Sequence, residues 1–333
     1  MSNISTMPLL EVNRLAVHFA TRAGTVKAVN DIAFSLQPGQ IMGLVGESGS
    51  GKSMTAYAIM GLIDPPGEVV AGNIRFNGTN LRTLSAEAMR KVRGDRIAMI
   101  FQDPTMTLNP VLRIDTQMIE AVRAHHPVSK AAARAMARDA LARVGIPSPD
   151  ERLRAYPHQF SGGMRQRVAI ATALLNKPDL IICDEPTTAL DVTTQAQILR
   201  EMQTLCRESG TALIWITHDL AVVAGLADTV AVMYAGRIVE SGTVQQVLEQ
   251  PRHPYTQGLI ASSPTRNRRG QPLRQIAGST PSLLNAPDGC AFRDRCDRAT
   301  DICRVTPVAA QQGGHTWRCF HPVPDAMDPT DDT

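Results

Sequence analysis

Glycine, serine and lysine residues between positions 46 and 53 have the types and spacing of a phosphate-binding loop. The segment is GESGSGKS, which matches the pattern G-x-x-x-x-G-K-[ST] in full. Glycines let backbone N–H groups turn inward around an anion, and the start of a following helix adds partial positive charge. Lys52 would reach the β- and γ-phosphates of a nucleotide, and the hydroxyl of Ser53 would bind Mg²⁺. The residues predicted to surround the phosphates are Gly46, Ser48, Gly49, Ser50, Gly51, Lys52 and Ser53.

Two carboxylates supply the acidic partner that such a loop needs. Asp184 and Glu185 follow an apolar run at residues 180–183, which predicts a buried strand that delivers both carboxylates at its end. Asp184 would hold Mg²⁺ through water, and Glu185 would orient and polarise the attacking water. Cys183 lies inside the apolar run and is interpreted as a small core residue. The loop and the acidic pair together predict a nucleoside triphosphatase.

A further glycine-rich segment opens a predicted helix before this strand. Ser161, Gly162 and Gly163 would expose backbone N–H groups to a second phosphate site. The segment resembles the signature motif LSGGQ of ATP-binding cassette (ABC) ATPases, with Phe160 in place of the leucine and Met164 in place of the glutamine. The resemblance implies that these three small residues cap a nucleotide held by the loop of an opposing ATPase subunit, in a head-to-tail arrangement.

Residues elsewhere match other ABC elements. The resemblance assigns Gln102 to the Q-loop, which contacts Mg²⁺ and water and senses the membrane partner, and His218 to the switch histidine near the γ-phosphate. Asp191 ends a segment, residues 188–191, that is similar to the D-loop, and Phe19 takes the place of the aromatic residue that stacks on adenine. The catalytic residues that the resemblance implies are Glu185, His218 and Lys52. The resemblance to ABC ATPases covers about residues 8–250 and implies ATP and Mg²⁺ as cofactors.

Longer segments are similar to the ATPase subunits of dipeptide and oligopeptide ABC importers, a family with nickel and glutathione relatives. These segments are IFQDP at 100–104, LNP at 108–110, YPHQ at 156–159, DEPTTALD at 184–191 and HPYT at 253–256. The resemblance implies a peripheral subunit on the cytoplasmic face of the cell (inner) membrane, whose ATP hydrolysis energises peptide import. The implied partners are a second ATPase subunit, two transmembrane permease subunits and, indirectly, a solute-binding protein. The Gly-Gly-Met form at 162–164 resembles one of two paired ATPases, so the second is expected to be a different chain.

The elements that must position these residues alternate between strands and helices. This alternation predicts an α/β fold with a largely parallel sheet, here a P-loop NTPase of the ABC ATPase type. An antiparallel hairpin is expected from residues 9–19 and 26–36, and a helical subdomain from about 105–160. The predicted strands are 41–45, 97–101, 180–183, 212–216 and 229–234, and the predicted helices are 52–63, 130–144, 162–175 and 193–208.

A composition change after residue 250 predicts the domain boundary. Residues 1–250 form the predicted nucleotide-binding domain, and residues 251–333 form an irregular, cysteine-rich extension. Residues 251–275 hold five arginines and no acidic residue, with proline and serine interspersed. This stretch is interpreted as a solvated linker, with a docking or lipid-facing strip as the alternative. The acidic end, residues 325–333, is expected to fray.

Four of the six cysteines lie in this extension, as C-x₅-C-x₆-C-x₁₅-C. Without a signal peptide, disulfides are disfavoured in a reducing cytosol. The spacing matches neither structural zinc motifs nor ferredoxin motifs, so a tetrahedral metal, a cubane cluster and free buried thiols all remain open; His315 and His321 are further candidate ligands. The resemblance to peptide importers implies a [4Fe–4S] cluster with a structural or sensing role, on Cys290, Cys296, Cys303 and Cys319.

Composition excludes other classes of protein. The formal net charge is +3 and aromatic residues make up 4%, which argues against a nucleic-acid partner. The apolar runs are too short for a membrane span, so any membrane role is expected to come through a partner.

A soluble ABC ATPase without a transport role is the alternative function, although the long coiled-coil insertions or tandem cassettes usual there are not seen. An iron–sulfur redox protein with an accessory NTPase is a third hypothesis.

Overall fold

The computed structural model describes residues 7–103, 107–187, 191–263, 274–284 and 286–324. These residues divide into two compact units. Unit 1 comprises residues 7–9, 36–40 and those described between 77 and 215. Unit 2 comprises residues 10–35, 41–76 and those described between 216 and 324. Each unit contains elements distant in sequence, so neither corresponds to one continuous stretch of chain.

The strands, in chain order, are β1 (Leu10–Thr21), β2 (Gly24–Leu36), β3 (Ile41–Val45), β4 (Gly67–Phe76), β5 (Thr79–Asn80), β6 (Ile97–Ile100), β7 (Leu180–Asp184), β8 (Ala212–Thr217), β9 (Thr229–Tyr234), β10 (Arg237–Thr243), β11 (Ala310–Gln312) and β12 (His315–Trp317). The helices are α1 (Lys52–Met60), α2 (Ala86–Val92), α3 (Ile114–Arg123), α4 (Lys130–Arg143), α5 (Pro149–Leu153), α6 (Gly162–Leu174), α7 (Val192–Ser209), α8 (Leu220–Leu226), α9 (Val244–Glu249) and α10 (Pro254–Ser262). Short 3₁₀ helices cover Leu81–Thr83, Pro157–Gln159, Arg293–Arg295 and Asp301–Arg304.

Unit 1 contains parallel strands and a group of helices. β6 and β7 pair in parallel, and every residue of both strands is buried, because helices cover the faces of parallel sheets. Helix α4 packs against α3, α5 and α6. The guanidinium of Arg167, on α6, donates hydrogen bonds to the carbonyl of Val144 and to Glu201 on α7. This buried arginine therefore connects the helix that follows the Ser-Gly-Gly segment to its neighbours.

Unit 2 contains two sheets. In the first, β1 lies between β2 and β4 and pairs antiparallel with β4, while a two-residue turn joins β1 to β2. In the second, β3 and β9 are parallel, and β10, β12 and β11 continue from β9 as antiparallel neighbours. Tyr234, Tyr255 and Phe292 belong to one apolar cluster beside this second sheet. The core of unit 2 thus joins β9 to residues that follow residue 250.

A buried carboxylate fastens the last part of the chain to β10. The Oε1 atom of Glu240 accepts from the backbone N–H of Arg252 at 2.6 Å and is hydrogen-bonded to Nε2 of His315 at 2.7 Å. Its Oε2 accepts from the N–H of His253 at 2.8 Å. Glu240 is 1% exposed, so these bonds replace the water that the charge loses. Strand β12 adds a main-chain ladder, with Trp317 opposite Glu240.

The α/β class and the five predicted strands are confirmed, with ends that differ by at most one residue. The N-terminal hairpin is also confirmed, and so are the four helices, although α1 ends three residues earlier than expected. It ends at Met60 because Gly61 adopts φ of +62°, a left-handed conformation that closes a helix. Strands β4 and β10 were not predicted.

The interpretation of residues 251–275 as a solvated linker is wrong for its first half. Helix α10 occupies residues 254–262, and Tyr255 and Thr256 are fully buried. The side chain of His253 caps this helix by accepting from the N–H of Tyr255. The second half of the stretch lies largely outside the described residues, as do three of its arginines, at 266, 268 and 269. The extension is also less irregular than expected, since β11 and β12 form an antiparallel pair.

Candidate nucleotide site

The predicted phosphate loop connects β3 to α1 in unit 2. All five residues of β3 are buried, so the loop starts from a fixed strand end. Two glycines make the turn sterically feasible. A Cβ at Gly46 would lie 2.1 Å from the carbonyl oxygen of Met233, and one at Gly51, whose φ is +106°, would lie 2.3 Å from that of Ala28. The strand–loop–helix context expected from the sequence is therefore confirmed.

Lys52 lies inside this loop. Its side-chain Nζ donates to the carbonyl oxygens of Gly46 at 2.9 Å and of Glu47 at 3.0 Å, and the residue is 5% exposed. The ammonium is thus held across the loop by the loop's own backbone. Ser50 is fully buried, and its hydroxyl has no hydrogen-bond partner among the described residues. An unpaired buried hydroxyl is costly, so Ser50 is a group that the fold of the loop leaves unsatisfied.

Glu47 is a loop residue whose role the sequence did not predict. Its carboxylate accepts two hydrogen bonds from Arg295 and one from Thr280, and its N–H donates to the hydroxyl of Tyr255. Burial acts to raise the pKa of Glu47, but the bonds from Arg295 and Thr280 outweigh it and hold that pKa below its usual range. Arg295 is 248 positions away in sequence, so no local pattern connects it to the loop.

The acidic pair lies in unit 1, at the end of the buried strand that the apolar run predicted. Asp184 is the last residue of β7 and is buried. Glu185 follows it with φ of +45°, a left-handed conformation that costs a non-glycine residue about 1–2 kcal/mol. Such strain concentrates at functional sites, because the surrounding structure must enforce it. The backbone geometry therefore distinguishes Glu185 from Asp184, its partner in the acidic pair.

Gln102 and His218 each follow the end of a strand. Gln102 lies two residues after β6, in unit 1, and is exposed. His218 comes directly after β8, belongs to unit 2 and is exposed. The neighbouring Asp219 caps α8 by accepting from the N–H of Ala221, which fixes the turn that carries the histidine. Residues of parallel strands reach substrates from such strand ends.

The Ser-Gly-Gly segment opens α6 in unit 1. Ser161 is the N-cap of this helix, and its hydroxyl accepts from the N–H of Met164 at 3.3 Å. Ser161 and Gly162 are exposed, and Gly163 is partly exposed. The first turn of α6 is therefore accessible at the surface of unit 1, while its role toward a second phosphate site stays a prediction.

Phe19, the expected adenine-stacking residue, is in β1 of unit 2 and is partly buried. Its ring packs over Gly67, where a Cβ would lie 2.4 Å from Cε1 of the ring. Of the D-loop segment, Asp191 is described and caps α7 by accepting from the N–H of Thr194. Residues 188–190 and Pro104 lie outside the described residues.

The structure brings the four late cysteines to one small cavity in unit 2, which all four line. The N–H of Cys290 also donates to the carbonyl oxygen of Cys303 at 2.9 Å. Burial raises the pKa of Cys290, Cys296 and Cys319, the last to about 11. In the described part of the chain, no three or more His, Cys, Asp or Glu side chains are arranged as a metal-binding group.

The two candidate histidine ligands differ in position. His321 lines the cysteine cavity, and its backbone N–H donates to the sulfur of Cys319 at 3.3 Å. Its ring is hydrogen-bonded to the hydroxyl of Thr300 at 2.7 Å. His315 is buried and is bonded to Glu240 instead, so its role is structural.

Two family profiles match the chain. The one described as "ABC transporter" matches residues 29–188, which include the phosphate loop, the Ser-Gly-Gly segment and the acidic pair. The one described as "Oligopeptide/dipeptide transporter, C-terminal region" matches residues 239–303. Among the described residues, none of the helices has the length and apolar character needed to cross a bilayer.

Several known proteins are similar over nearly the whole chain. The oligopeptide transport ATP-binding protein OppD of Salmonella typhimurium is 48% identical over 320 residues, which cover 96% of this chain and 95% of that protein. The dipeptide transport ATP-binding protein DppD of Escherichia coli is 45% identical over 326 residues, which cover 97% of this chain and 100% of that protein. A solved structure of the ATP-binding cassette MJ0796, dimeric and bound to ADP and Pi, is similar with a TM-score of 0.64 and 25% identity, covering 71% of this chain and 98% of that one. The chain therefore belongs to the ABC transporter family, in its group of oligopeptide and dipeptide transport ATP-binding proteins, and it is an ATPase.

Proposed function

We propose that this chain hydrolyses ATP to energise the import of peptides, as a peripheral subunit on the cytoplasmic face of the cell (inner) membrane. The observation that carries the nucleotide chemistry is the glycine-rich turn from β3 to α1, with Lys52 held inside it. The peptide cargo follows from the relatives, which are oligopeptide and dipeptide transport proteins. The high identity across nearly the full length favours transport over a soluble role.

In this proposal, the loop N–H groups and Lys52 bind the β- and γ-phosphates, while the ring of Phe19 contacts adenine. Ser53, Gln102 and Asp184 would hold Mg²⁺, which neutralises charge on the phosphates. Glu185 would orient the attacking water and accept its proton, and His218 would stabilise the γ-phosphate. The strained backbone of Glu185 and the buried position of Asp184 support these roles.

The site is completed by a second ATPase subunit. The exposed start of α6, with Ser161, Gly162 and Gly163, would cap a nucleotide bound to the loop of that subunit. ATP then binds the closed pair more tightly than the open one and shifts the equilibrium between them. We propose that the second subunit is a different chain and that both act on two permease subunits, with a solute-binding protein delivering the peptide. The domain division at residue 250, with a helical subdomain at about 105–160, belongs to this proposal.

Reconstitution in proteoliposomes tests the transport function. With its permeases, second ATPase and solute-binding protein, the wild-type chain is expected to drive ATP-dependent accumulation of a labelled oligopeptide. Lys52→Met is expected to abolish that uptake, because it removes the cation that binds the β- and γ-phosphates. Lys91→Met, at an exposed lysine paired with Glu87, is the control and should leave uptake unchanged. ATP hydrolysis that needs no membrane subunits, with no uptake, would support the soluble alternative.

We further propose that Cys290, Cys296, Cys303 and Cys319 hold a [4Fe–4S] cluster. The chemistry of the donors supports this proposal, because four thiols from separate segments line one cavity and two arginines, Arg293 and Arg298, line it as well. Thiolates are the ligands of such clusters, and nearby cations lower the cost of their charge. The cluster would tie the loops of the extension together.

Anaerobic purification tests this site without reference to activity. The wild-type chain is expected to contain iron and acid-labile sulfide in equal amounts and to show broad visible absorption. Cys303→Ser is expected to lose both signals, since a ligand is replaced by a weaker one. Cys206→Ser, at a buried cysteine on α7 outside the cavity, is the control and should keep them. A colourless wild-type chain that contains zinc would contradict the cluster and support a tetrahedral zinc site.

A further inference from the structure

We propose that Arg295 is a positioning residue for ATP binding, and that it acts by fixing the phosphate loop through the carboxylate of Glu47. The C-terminal extension would then form part of the nucleotide site. This inference rests on the proposed function, since it concerns the loop that binds ATP. All the contacts that carry it lie within unit 2.

The contact between the two side chains is bidentate. Nη1 of Arg295 donates to Oε2 of Glu47 at 2.7 Å, and Nη2 donates to Oε1 at 3.1 Å. The hydroxyl of Thr280 donates to the same Oε2 at 2.7 Å. A planar guanidinium that meets a carboxylate with two bonds fixes both position and orientation, which a single bond does not. Glu47 is therefore held in one rotamer by the extension.

The backbone of Glu47 is held by one residue of the extension and by one residue of the loop. Its N–H donates to the hydroxyl of Tyr255, on α10, at 2.9 Å. Its carbonyl oxygen accepts from Nζ of Lys52 at 3.0 Å. Consequently, one residue of the loop connects the extension directly to the lysine that binds phosphate. A shift of Glu47 would move the carbonyl on which the ammonium rests.

Arg295 is itself immobilised. Its side chain is 6% exposed, its Nε donates to the carbonyl of Ala277 at 2.7 Å, and its guanidinium lies 5.8 Å and 5.7 Å from the ring centres of Tyr234 and Phe292. Cation–π contacts and buried hydrogen bonds both restrict its rotamers. The contact between Arg295 and Glu47 is thus supported by the apolar core of unit 2. It differs in this respect from a surface ion pair, which contributes little to stability.

The charge of Glu47 explains why the loop needs this partner. A carboxylate next to an anion-binding loop opposes the binding of a polyphosphate unless a cation neutralises it. Arg295 supplies that cation from the side of the extension, which leaves Lys52 to serve the phosphates. The loop also needs fixed N–H directions, because phosphate binding depends on several converging donors.

Binding of a fluorescent ATP analogue to the full-length chain tests the proposal. Arg295→Met is expected to raise the Kd about tenfold, the effect of removing one partner of a charged hydrogen bond. Arg318→Met is the matched control, since this guanidinium in the same extension pairs with Asp31 and not with the loop; its Kd should equal that of the wild type. In the assembled transporter, Arg295→Met should raise KM for ATP with kcat unchanged, a split that general destabilisation would not produce.

A double variant shows whether Arg295 acts through Glu47. In the Glu47→Gln background the charged contact is already broken, so adding Arg295→Met is expected to change the Kd by less than about threefold. A wild-type Kd for folded Arg295→Met would overturn the proposal, and so would an effect of Arg295→Met that stays about tenfold in the Glu47→Gln background. If Arg295→Met fails to fold, Arg295→Lys replaces it in the test. Lysine keeps the positive charge but cannot form the two parallel hydrogen bonds, so its Kd is expected to lie between those of the wild type and of Arg295→Met. A wild-type Kd for Arg295→Lys would then overturn the proposal. A wild-type chain that does not bind the analogue would instead contradict the proposed function.

Discussion

Replacing Glu185 by glutamine is expected to lower the rate of ATP hydrolysis by about a hundred- to ten-thousandfold, the range for removal of a general base. Glutamine keeps the size of the side chain and can adopt the same left-handed backbone as glutamate. It cannot accept a proton from the attacking water. ATP should still bind, because Lys52 and the loop are unchanged. Single-turnover hydrolysis in the assembled transporter measures the rate, and a fluorescent ATP analogue measures binding.

The control for this experiment is Glu208→Gln, at an exposed position near the end of α7. This variant also removes one carboxylate, but at a position that has no proposed role in catalysis. Its rate of ATP hydrolysis should match that of the wild type. Rapid hydrolysis by Glu185→Gln would remove Glu185 from its proposed role. Loss of both binding and hydrolysis would assign it to nucleotide binding instead.

Glu240→Leu is expected to lower the free energy of unfolding by about 3–5 kcal/mol, the cost of removing one partner from a buried ionic group. The leucine would leave the N–H groups of Arg252 and His253 and the ring of His315 without their acceptor. Because these donors hold the last part of the chain to β10, that part should detach first. Urea unfolding followed by far-UV circular dichroism measures the loss.

An exposed glutamate nearby provides the comparison. Glu249→Leu, at the end of α9, loses the same charge without a buried network, and its stability should stay within about 0.5 kcal/mol of the wild type. Equal stability of the two variants would mean that water replaces the bonds of Glu240. Limited proteolysis would then locate any loosened segment.

The sequence predicted the elements whose signal is local. Short apolar runs such as residues 180–183 define their own strands, since a buried parallel strand is apolar on both faces. The phosphate loop is likewise encoded by adjacent residues, and its glycines prove necessary for steric reasons at Gly46 and Gly51. Both the fold class and the main chemistry were accessible for this reason.

The contacts that could not be predicted from the sequence join residues far apart in the chain. The pairing of β12 with β10 and the bond from Arg295 to Glu47 join segments separated by tens or hundreds of positions. Composition was misleading at residues 251–262, where arginine and proline suggested a solvated linker. There the buried side chain of Tyr255 and the cap from His253 determine the structure.

The first turn of α6 bears on how this chain has been optimised. A methyl group at Gly162 would meet no described atom within 4 Å, so its own fold does not require glycine at that position. Glycine in a helix costs up to about 1 kcal/mol relative to alanine, because its backbone has more conformational freedom to lose on folding. In the proposed function, the chain gives up helix stability at a position where a nucleotide bound to the second subunit would benefit. Screens that select thermostable versions of the isolated polypeptide would favour alanine at this position, against the needs of the assembled machine.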